Sequence, residues 1–417
     1  MGVGERGGTW FLSQPGRTSS LSEAIRVFCM PVAIQVWDYR AEYEAERDDI
    51  LAAVDQVLRS GRLILGESVR ALEQELAAYC GVGHGVGVNS GTDALMLALR
   101  ALDLRPGDEV ITTSNTAIPT VSAIVTAGAT PRFVDIEPDT YLIDVSRLES
   151  AITTRTRCIV PVHLFGQCAD MDAVQTIAAR RAVQVVEDCA QSTGADYRGR
   201  RAGSMSRLSV FSFYPTKVLG AYGDAGMVLT SDEALAGRVR RLRVYGTEKT
   251  YYAEEHGYNS RLDELHAEIL RRKLRRIERY IERRAALARR YDEQLRGTGL
   301  ILPVTRPGNR HVYHLYVVRH PAREAIIAAL AEQGITVGIH YPWPIHTMRA
   351  YAQFGGGEGS LPETERAARQ IFSLPIYPSL TDAEQDQVCD ALRTILESQR
   401  GTEARRHAAD AGHSAGT

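Results

Sequence analysis

A lysine set among aromatic, small and glycine residues is chemically suggestive, and Lys217 follows Phe211-Ser212-Phe213-Tyr214-Pro215-Thr216 with no adjoining acid to pair it. Lysine is seldom buried unless paired or functional, and desolvation lowers its pKa toward the neutral amine that attacks an aldehyde. An exposed loop lysine is the plain alternative. A second group, Val185-Val186-Glu187-Asp188-Cys189-Ala190-Gln191, ends an apolar run with two carboxylates. A buried carboxylate needs a partner, which a protonated heterocyclic nitrogen would supply, as would a helix cap or an ion pair. A third, Asn89-Ser90-Gly91-Thr92-Asp93, lies between an apolar run and a helix-forming one. Gly91 would let a ligand approach the backbone, the helix N-terminus would attract a phosphate, and Thr92 adds a hydroxyl. Such residues also serve simply as caps. Taken together they match one ligand, which needs a phosphate cradle, an acid for a pyridinium nitrogen and a lysine for an aldehyde. Those are a protein's contributions to pyridoxal 5'-phosphate (PLP) chemistry.

The elements that must position these groups are read from periodicity. Short apolar, β-branched runs at 85–88, 109–113, 132–135, 158–162, 183–187, 208–213 and 227–230 predict strands of a mainly parallel sheet covered on both faces. Helical signals lie between them, among them 92–101 and 171–180, the latter after a capping Asp170. Repeated strand and helix units make an α/β domain, and its ligands sit outside the carboxyl ends of the strands, where all three groups fall. Residues 268–296 read as one long, ion-paired connecting helix rather than a nucleic-acid stripe. A smaller α/β unit follows, with strands expected at 314–318 and 336–341 and helices at 322–333 and 362–372. The expected organisation is a disordered extension over 1–31, a large α/β domain over 32–265, a connecting helix and small C-terminal domain over 266–398, and a frayed tail over 399–417. Met30 before Pro31 is a candidate natural start.

Composition narrows the classes. At 417 residues the chain is long enough for two domains. Its 49 basic against 51 acidic residues leave a formal charge of -2, so no bulk field favours nucleic acid or an anionic membrane. The six cysteines include no C-x-x-C pair, which argues against a zinc or redox site and fits reduced thiols in a cytoplasmic protein. No run reaches the roughly 18 apolar residues of a membrane span, and none has a secretory layout. No metal site is expected.

Several ordered stretches carry a resemblance: GVNSGTDAL (87–95), AGATPRFVDI (127–136), PVHLFGQCADMD (161–172), VVEDCAQSTGA (185–195), FSFYPTKVLGAYGDAG (211–226), NSRLDELHAEIL (259–270), GIHYPWPIH (338–346) and LPETERAARQIFSLPIYPSLT (361–381). Over roughly 32–395 the chain resembles the DegT/DnrJ/EryC1/StrS aminotransferases. That resemblance implies the aspartate aminotransferase type fold (PLP fold type I), PLP as cofactor and, mostly, nucleotide-linked keto sugars as substrates. It implies that Lys217 condenses with the cofactor aldehyde and shuttles the proton, that Asp188 keeps the pyridine nitrogen protonated, and that Gln191 bonds the phenolic oxygen. Gly91, Thr92 and Ser212 would bind the phosphate, joined by Asn259 from the other subunit of a homodimer with a shared active site. Three departures stand out. Ala117 occupies the place of an aromatic that stacks on the cofactor ring, Val218 that of an asparagine, and Cys168 that of a proline.

The resemblance also implies an amino donor, glutamate, and a keto-sugar acceptor. Tyr214-Pro215 and Tyr245-Gly246-Thr247-Glu248-Lys249 resemble members that aminate C-3 of dTDP-3-keto-6-deoxyhexoses, which in turn suggests deoxyaminosugars of glycosylated natural products such as antibiotics. Lys249 is a candidate for the diphosphate, with an ordinary surface lysine as the alternative. Candidates for the sugar pocket are Tyr214, His340 and Tyr341, and an ordinary core histidine competes with that reading of His340. Other substrates in view are a 4-keto sugar and a scyllo-inosose type ketone, and a PLP-binding regulator without turnover is the reading from another class. A nucleotide-sugar dehydrogenase would need G-x-G-x-x-G after the first strand, where Gly81-Val82-Gly83 comes before it and lacks the rest.

Overall fold

The structure, a computed structural model, describes residues 34–414. The expected extension over 1–31 and the Met30 start lie outside the described residues. Seven strands form the central sheet: β1 (His84–Val88), β2 (Glu109–Thr113), β3 (Thr130–Val134), β4 (Thr156–Ile159), β5 (Gln184–Asp188), β6 (Leu208–Ser212) and β7 (Gly226–Thr230). Their order is β1-β7-β6-β5-β4-β2-β3. The run from β6 to β3 is parallel, while β7 lies antiparallel to both β6 and β1. β2, β6 and β7 are buried at every position, as strands rich in Val, Ile and Leu must be when helices cover both faces. Two hydrophobic clusters, one on each face, fill the space between sheet and helices.

A carboxylate borrowed from far along the chain organises one of these covering helices. The helix Glu67–Cys80 has no side-chain cap at Gly66, yet Glu264 accepts from the N–H groups of Gly66 at 2.6 Å, Ser68 at 2.9 Å and Val69 at 3.0 Å. Those are the orphan donors that every helix start leaves over.

The single helix expected over 268–296 is in fact two, Glu264–Leu274 and Ile277–Leu295. A uniform ion-paired surface ran across the break, but the second helix starts in the sheet-domain core with Ile277 and Ile281 and then passes to the other core. Ala267 and Leu270 pack into the sheet domain, whereas Leu287, Tyr291 and Leu295 pack into the C-terminal unit. That unit is built on an antiparallel pair, Tyr316–Arg319 with Ile371–Leu374. The strand expected at 336–341 is not regular there. Gly338 makes only an isolated bridge to Ser373, and the real partner strand is Ile371–Leu374, at the end of what read as a helix. The tail expected to fray from 399 instead continues the helix Asp382–Ser414, in keeping with its Glu, Ala and Arg content. At the other end, Ile34 pairs with Ile335, donating to the Gly334 carbonyl at 2.9 Å, and so belongs with the C-terminal unit.

Glu264→Leu leaves three helix-start N–H groups without an acceptor and is expected to cost about 3 kcal/mol. A fall in the urea midpoint with the cofactor spectrum retained is the measurement that checks it.

Candidate active site

Strand alternation sorts the two carboxylates at the end of β5. Glu187 is fully buried and structural. It accepts from His163 Nε2 at 3.0 Å, from the N–H groups of Gly203 at 2.9 Å and Met205 at 2.8 Å, and from Ser206 Oγ at 2.9 Å. Burial works against its charge, but His163 and these donors hold its pKa below the usual carboxylate range. Ala169 N–H donates to His163 Nδ1 at 3.2 Å, which puts the imidazole proton on Nε2. Although His163, Glu187 and Cys189 lie close enough to suggest a metal cage, the ligand atoms of the histidine and glutamate are already committed to these bonds.

Asp188 turns the other way, into a cavity of about 310 Å³. Its Oδ2 accepts from Thr120 Oγ1 at 2.9 Å and its Oδ1 from Ala190 N–H at 3.1 Å. Desolvation nevertheless raises its pKa, with those two donors and Lys217 pulling the other way. A carboxylate in that state is poised to take a cationic partner.

Opposite Asp188, the helix Gly91–Ala101 begins directly after β1, with Ser90 Oγ accepting from Asp93 N–H at 3.1 Å. A Cβ on Gly91 would lie 2.6 Å from the Cβ of Ser212, at the end of β6, so only glycine allows the two segments to close this cradle. The first-turn N–H groups have no intrahelical acceptor, and the helix dipole adds positive potential there. Lys217 ends a turn in which its N–H donates to the Tyr214 carbonyl at 2.8 Å. The turn folds tightly, for a Cβ on Gly220 would come within 2.3 Å of the Pro215 carbonyl oxygen. Lys217 lines the cavity only partly covered, but burial of its amine pulls the pKa down to about 8, against the opposing pull of Asp188.

The same cavity is bordered by Gly91, Thr92, Ala117, Gln191, Ser212 and Tyr214. Gln191 is fixed at both ends of its amide, accepting from Phe165 N–H at 2.8 Å and donating to the Tyr341 hydroxyl at 3.1 Å. Tyr341 thereby reaches the site from the C-terminal unit, and burial pushes its phenol to about 12. His340 bonds Ser373 Oγ at 2.8 Å, and its pKa falls to about 4 through burial and then the neighbouring Lys217. It is therefore neutral at pH 7. Neither His340 nor Tyr341 lines the cavity itself, and two further expected residues lie away from it in this chain. Asn259 is exposed beside its bridge to Val244, and Lys249 is exposed on the hairpin formed by Thr247–Lys249 and Tyr252–Ala253. At Ala117 no ring is supplied, and the one aromatic side chain bordering the cavity is Tyr214, 51% exposed. The sequence reading missed Thr120. Its signal was slight, a hydroxyl in the first turn of the helix Ile118–Thr126.

This donor set suits a phosphorylated pyridine aldehyde: an anion cradle at Gly91 and Ser212, a carboxylate with no cationic partner in contact, and a desolvated amine share one cavity. Before any ligand is added, Lys217 is expected to label with an amine-selective reagent with a midpoint near pH 8. In Asp188→Asn the midpoint moves lower, because the carboxylate was stabilising the ammonium; peptide mass spectrometry across pH reads both.

The model of the DegT/DnrJ/EryC1/StrS aminotransferase family matches residues 44–393. Over 367 residues the chain is 53% identical to the dTDP-3-amino-3,4,6-trideoxy-alpha-D-glucose transaminase of Micromonospora megalomicea subsp. nigra, covering 87% of this chain and 98% of the relative. Among solved structures it is similar to S. venezuelae DesV in complex with a ketimine intermediate, with TM-score 0.86, 47% identity, and 88% and 99% of the two chains covered. It is also similar to the PLP form of the putative sugar aminotransferase Spr1654 from Streptococcus pneumoniae, with TM-score 0.80, 27% identity, and 84% and 96% covered. With a family match spanning most of its length and a site that fits, this chain belongs to the DegT/DnrJ/EryC1/StrS aminotransferase family.

Proposed function

We propose that this aminotransferase uses PLP to move an amino group from L-glutamate to C-3 of a dTDP-3-keto-6-deoxyhexose. The observation that carries the reading is the convergence of Gly91, Asp188 and Lys217 on one cavity. The transaminase name of the 53% identical relative supports the sugar and the position, and the PLP form of a structural neighbour supports the cofactor.

When bound, PLP supplies an electron sink that allows an amino group to leave one carbon and join another. The residues around it then have separable tasks. The N-terminus of the helix Gly91–Ala101, with Thr92 and Ser212, holds the phosphate. Asp188 would pair with the ring nitrogen and favour its protonated form, while Thr120 keeps that carboxylate aimed. Gln191, already oriented by Phe165 and Tyr341, keeps a second amide hydrogen for the phenolic oxygen. The Lys217 amine, about half neutral at pH 8, would be the group that holds the cofactor through its aldehyde carbon, and its Nζ would be the base that holds or moves the proton there. Tyr214, His340 and Tyr341 are assigned to the sugar side and Lys249 to the diphosphate. Asn259 completes the phosphate site of a partner in a cytoplasmic homodimer.

Mass-detected turnover of dTDP-3-keto and dTDP-4-keto sugars with glutamate tests this directly. The 3-amino product is expected, and an exclusively 4-amino product overturns the regiochemistry. Lys217→Ala should lose turnover by about 10²–10⁴-fold. Asp188→Asn should keep the yellow colour and slow turnover by about 10²-fold, the kinetic equivalent of a charge-assisted hydrogen bond worth about 3 kcal/mol. If glutamate leaves the colour of the wild-type protein unchanged, the chain is a cofactor-binding protein without transamination.

A further inference from the structure

Lys217 also borders a second cavity, of about 390 Å³, on the side of the C-terminal unit. It is lined as well by Trp37 and by Arg284 of the helix Ile277–Leu295. Arg284 is the largest fully buried side chain among the described residues. Burial lowers its pKa to about 10, so it stays charged at neutral pH. Its Nη1 is spent on main-chain carbonyls, those of Ile376 at 2.8 Å, Tyr313 at 3.1 Å and His314 at 3.3 Å. Its Nε and Nη2 have no hydrogen-bond partner. These two nitrogens carry the parallel N–H groups of the guanidinium's side edge, the geometry that takes both oxygens of a carboxylate.

Two neighbours also carry an unpaired buried nitrogen, an N–H donor in Trp37 and a ring nitrogen of neutral imidazole in His314. Trp37 lies against the guanidinium, with Cζ 5.1 Å from the ring centroid, and its buried Nε1 is unpaired. His314, whose carbonyl Arg284 holds, leaves Nδ1 unpaired. Of the acids that line this cavity, Glu42 pairs with Lys273, and Glu46 uses one oxygen on Arg276 and the Tyr280 hydroxyl while its other oxygen is unpaired; Glu282 lines the cavity as well. Among the described residues no carboxylate forms an ion pair with Arg284. Unpaired buried donors are rare and each calls for an explanation; Arg284 Nε and Nη2 with Trp37 Nε1, three around one buried cation, call for an anion.

We infer that the edge formed by Arg284 Nε and Nη2, with Trp37 Nε1, binds a carboxylate of the amino-acid donor. The cavity then spans from that carboxylate to the amine of Lys217, where the donor's nitrogen must arrive. This assignment rests on the transamination proposed above. It gives donor and acceptor distinct anchors: the sugar is held from the Tyr214 side, the amino acid from the Arg284 side. Arg284 is thus a donor-specificity residue and takes no part in proton transfer.

The two half-reactions separate the claim from its parent. Bleaching of the yellow holoenzyme by L-glutamate reports the donor half, and recovery of colour from the aminated cofactor form with the keto sugar reports the acceptor half. Arg284→Lys keeps the charge but removes the parallel edge, and is expected to raise the half-saturating glutamate concentration by at least ~10-fold with the sugar half unchanged. Trp37→Phe keeps the ring and removes one N–H, and should raise it by ~3-fold. Calorimetric titration with glutarate, which has the carboxylates and no amine, should show the same losses without any chemistry. Unchanged glutamate and glutarate dependence in a folded Arg284→Lys, or an equal loss in the sugar half, overturns the assignment. If Arg284→Lys fails to fold because three carbonyls lose their donor, Trp37→Phe decides, and unaltered glutarate binding there overturns it. A wild-type protein that glutamate does not bleach overturns the parent reading and this one with it.

Discussion

The low dielectric around Lys217 and Asp188 is the constraint on which the site depends. Each group shifts in the direction that disfavours its own charge, and each relieves the other. An amine brought down to about 8 by burial is a usable nucleophile at a pH where a solvated lysine is almost wholly protonated. A fixed ion pair would have undone this by clamping the ammonium. The protein avoids that by placing Asp188 close enough to be felt and by engaging its oxygens with Thr120 and Ala190.

Strand register secures the arrangement. β5 pairs in parallel with β6, setting Glu187 opposite Ser209 and Asp188 opposite Val210. A slip of one residue would exchange the two acids, sending Asp188 toward His163 and Glu187 into the cavity. The five donors around Glu187 and His163 therefore act as a lock on the register, and the neighbouring acid gains its orientation from them. The C-terminal unit is held to the same sheet by a second buried relay. His346 N–H donates to Ser114 Oγ at 3.0 Å, Ser114 Oγ bonds His346 Nδ1 at 2.8 Å, and His346 Nε2 meets Glu365 at 3.2 Å. Through it the C-terminal unit, which carries His340 and Tyr341, is tied to the residue that follows β2.

What could be read from sequence follows from how local each signal is. Gly91, Asp188 and Lys217 each sit where an apolar strand gives way to a turn, so a short window exposes them. Thr120 meets Asp188 across 68 positions and Tyr341 meets Gln191 across 150, contacts that exist only after the crossovers have closed. Arg284 was hidden differently. In an Arg- and Glu-rich helix nothing local marks the one guanidinium that turns inward, and the same uniformity concealed the break between Leu274 and Ile277. Ile371 and Phe372, the start of the strand Ile371–Leu374, were absorbed into the expected helix because they follow a helical run without a breaker.

The pairing of Ile34 with Ile335 has a practical meaning for anyone producing this protein. Ile34, the first described residue, lies at the edge of the C-terminal unit, three residues ahead of the Trp37 indole that lines the second cavity. A purification tag or fusion partner joined directly to Ile34 would begin three residues from that indole. An opposite error, trimming past Ile34, would strip a strand edge and loosen the indole. The sound cut for a tag-free preparation lies upstream of that bridge.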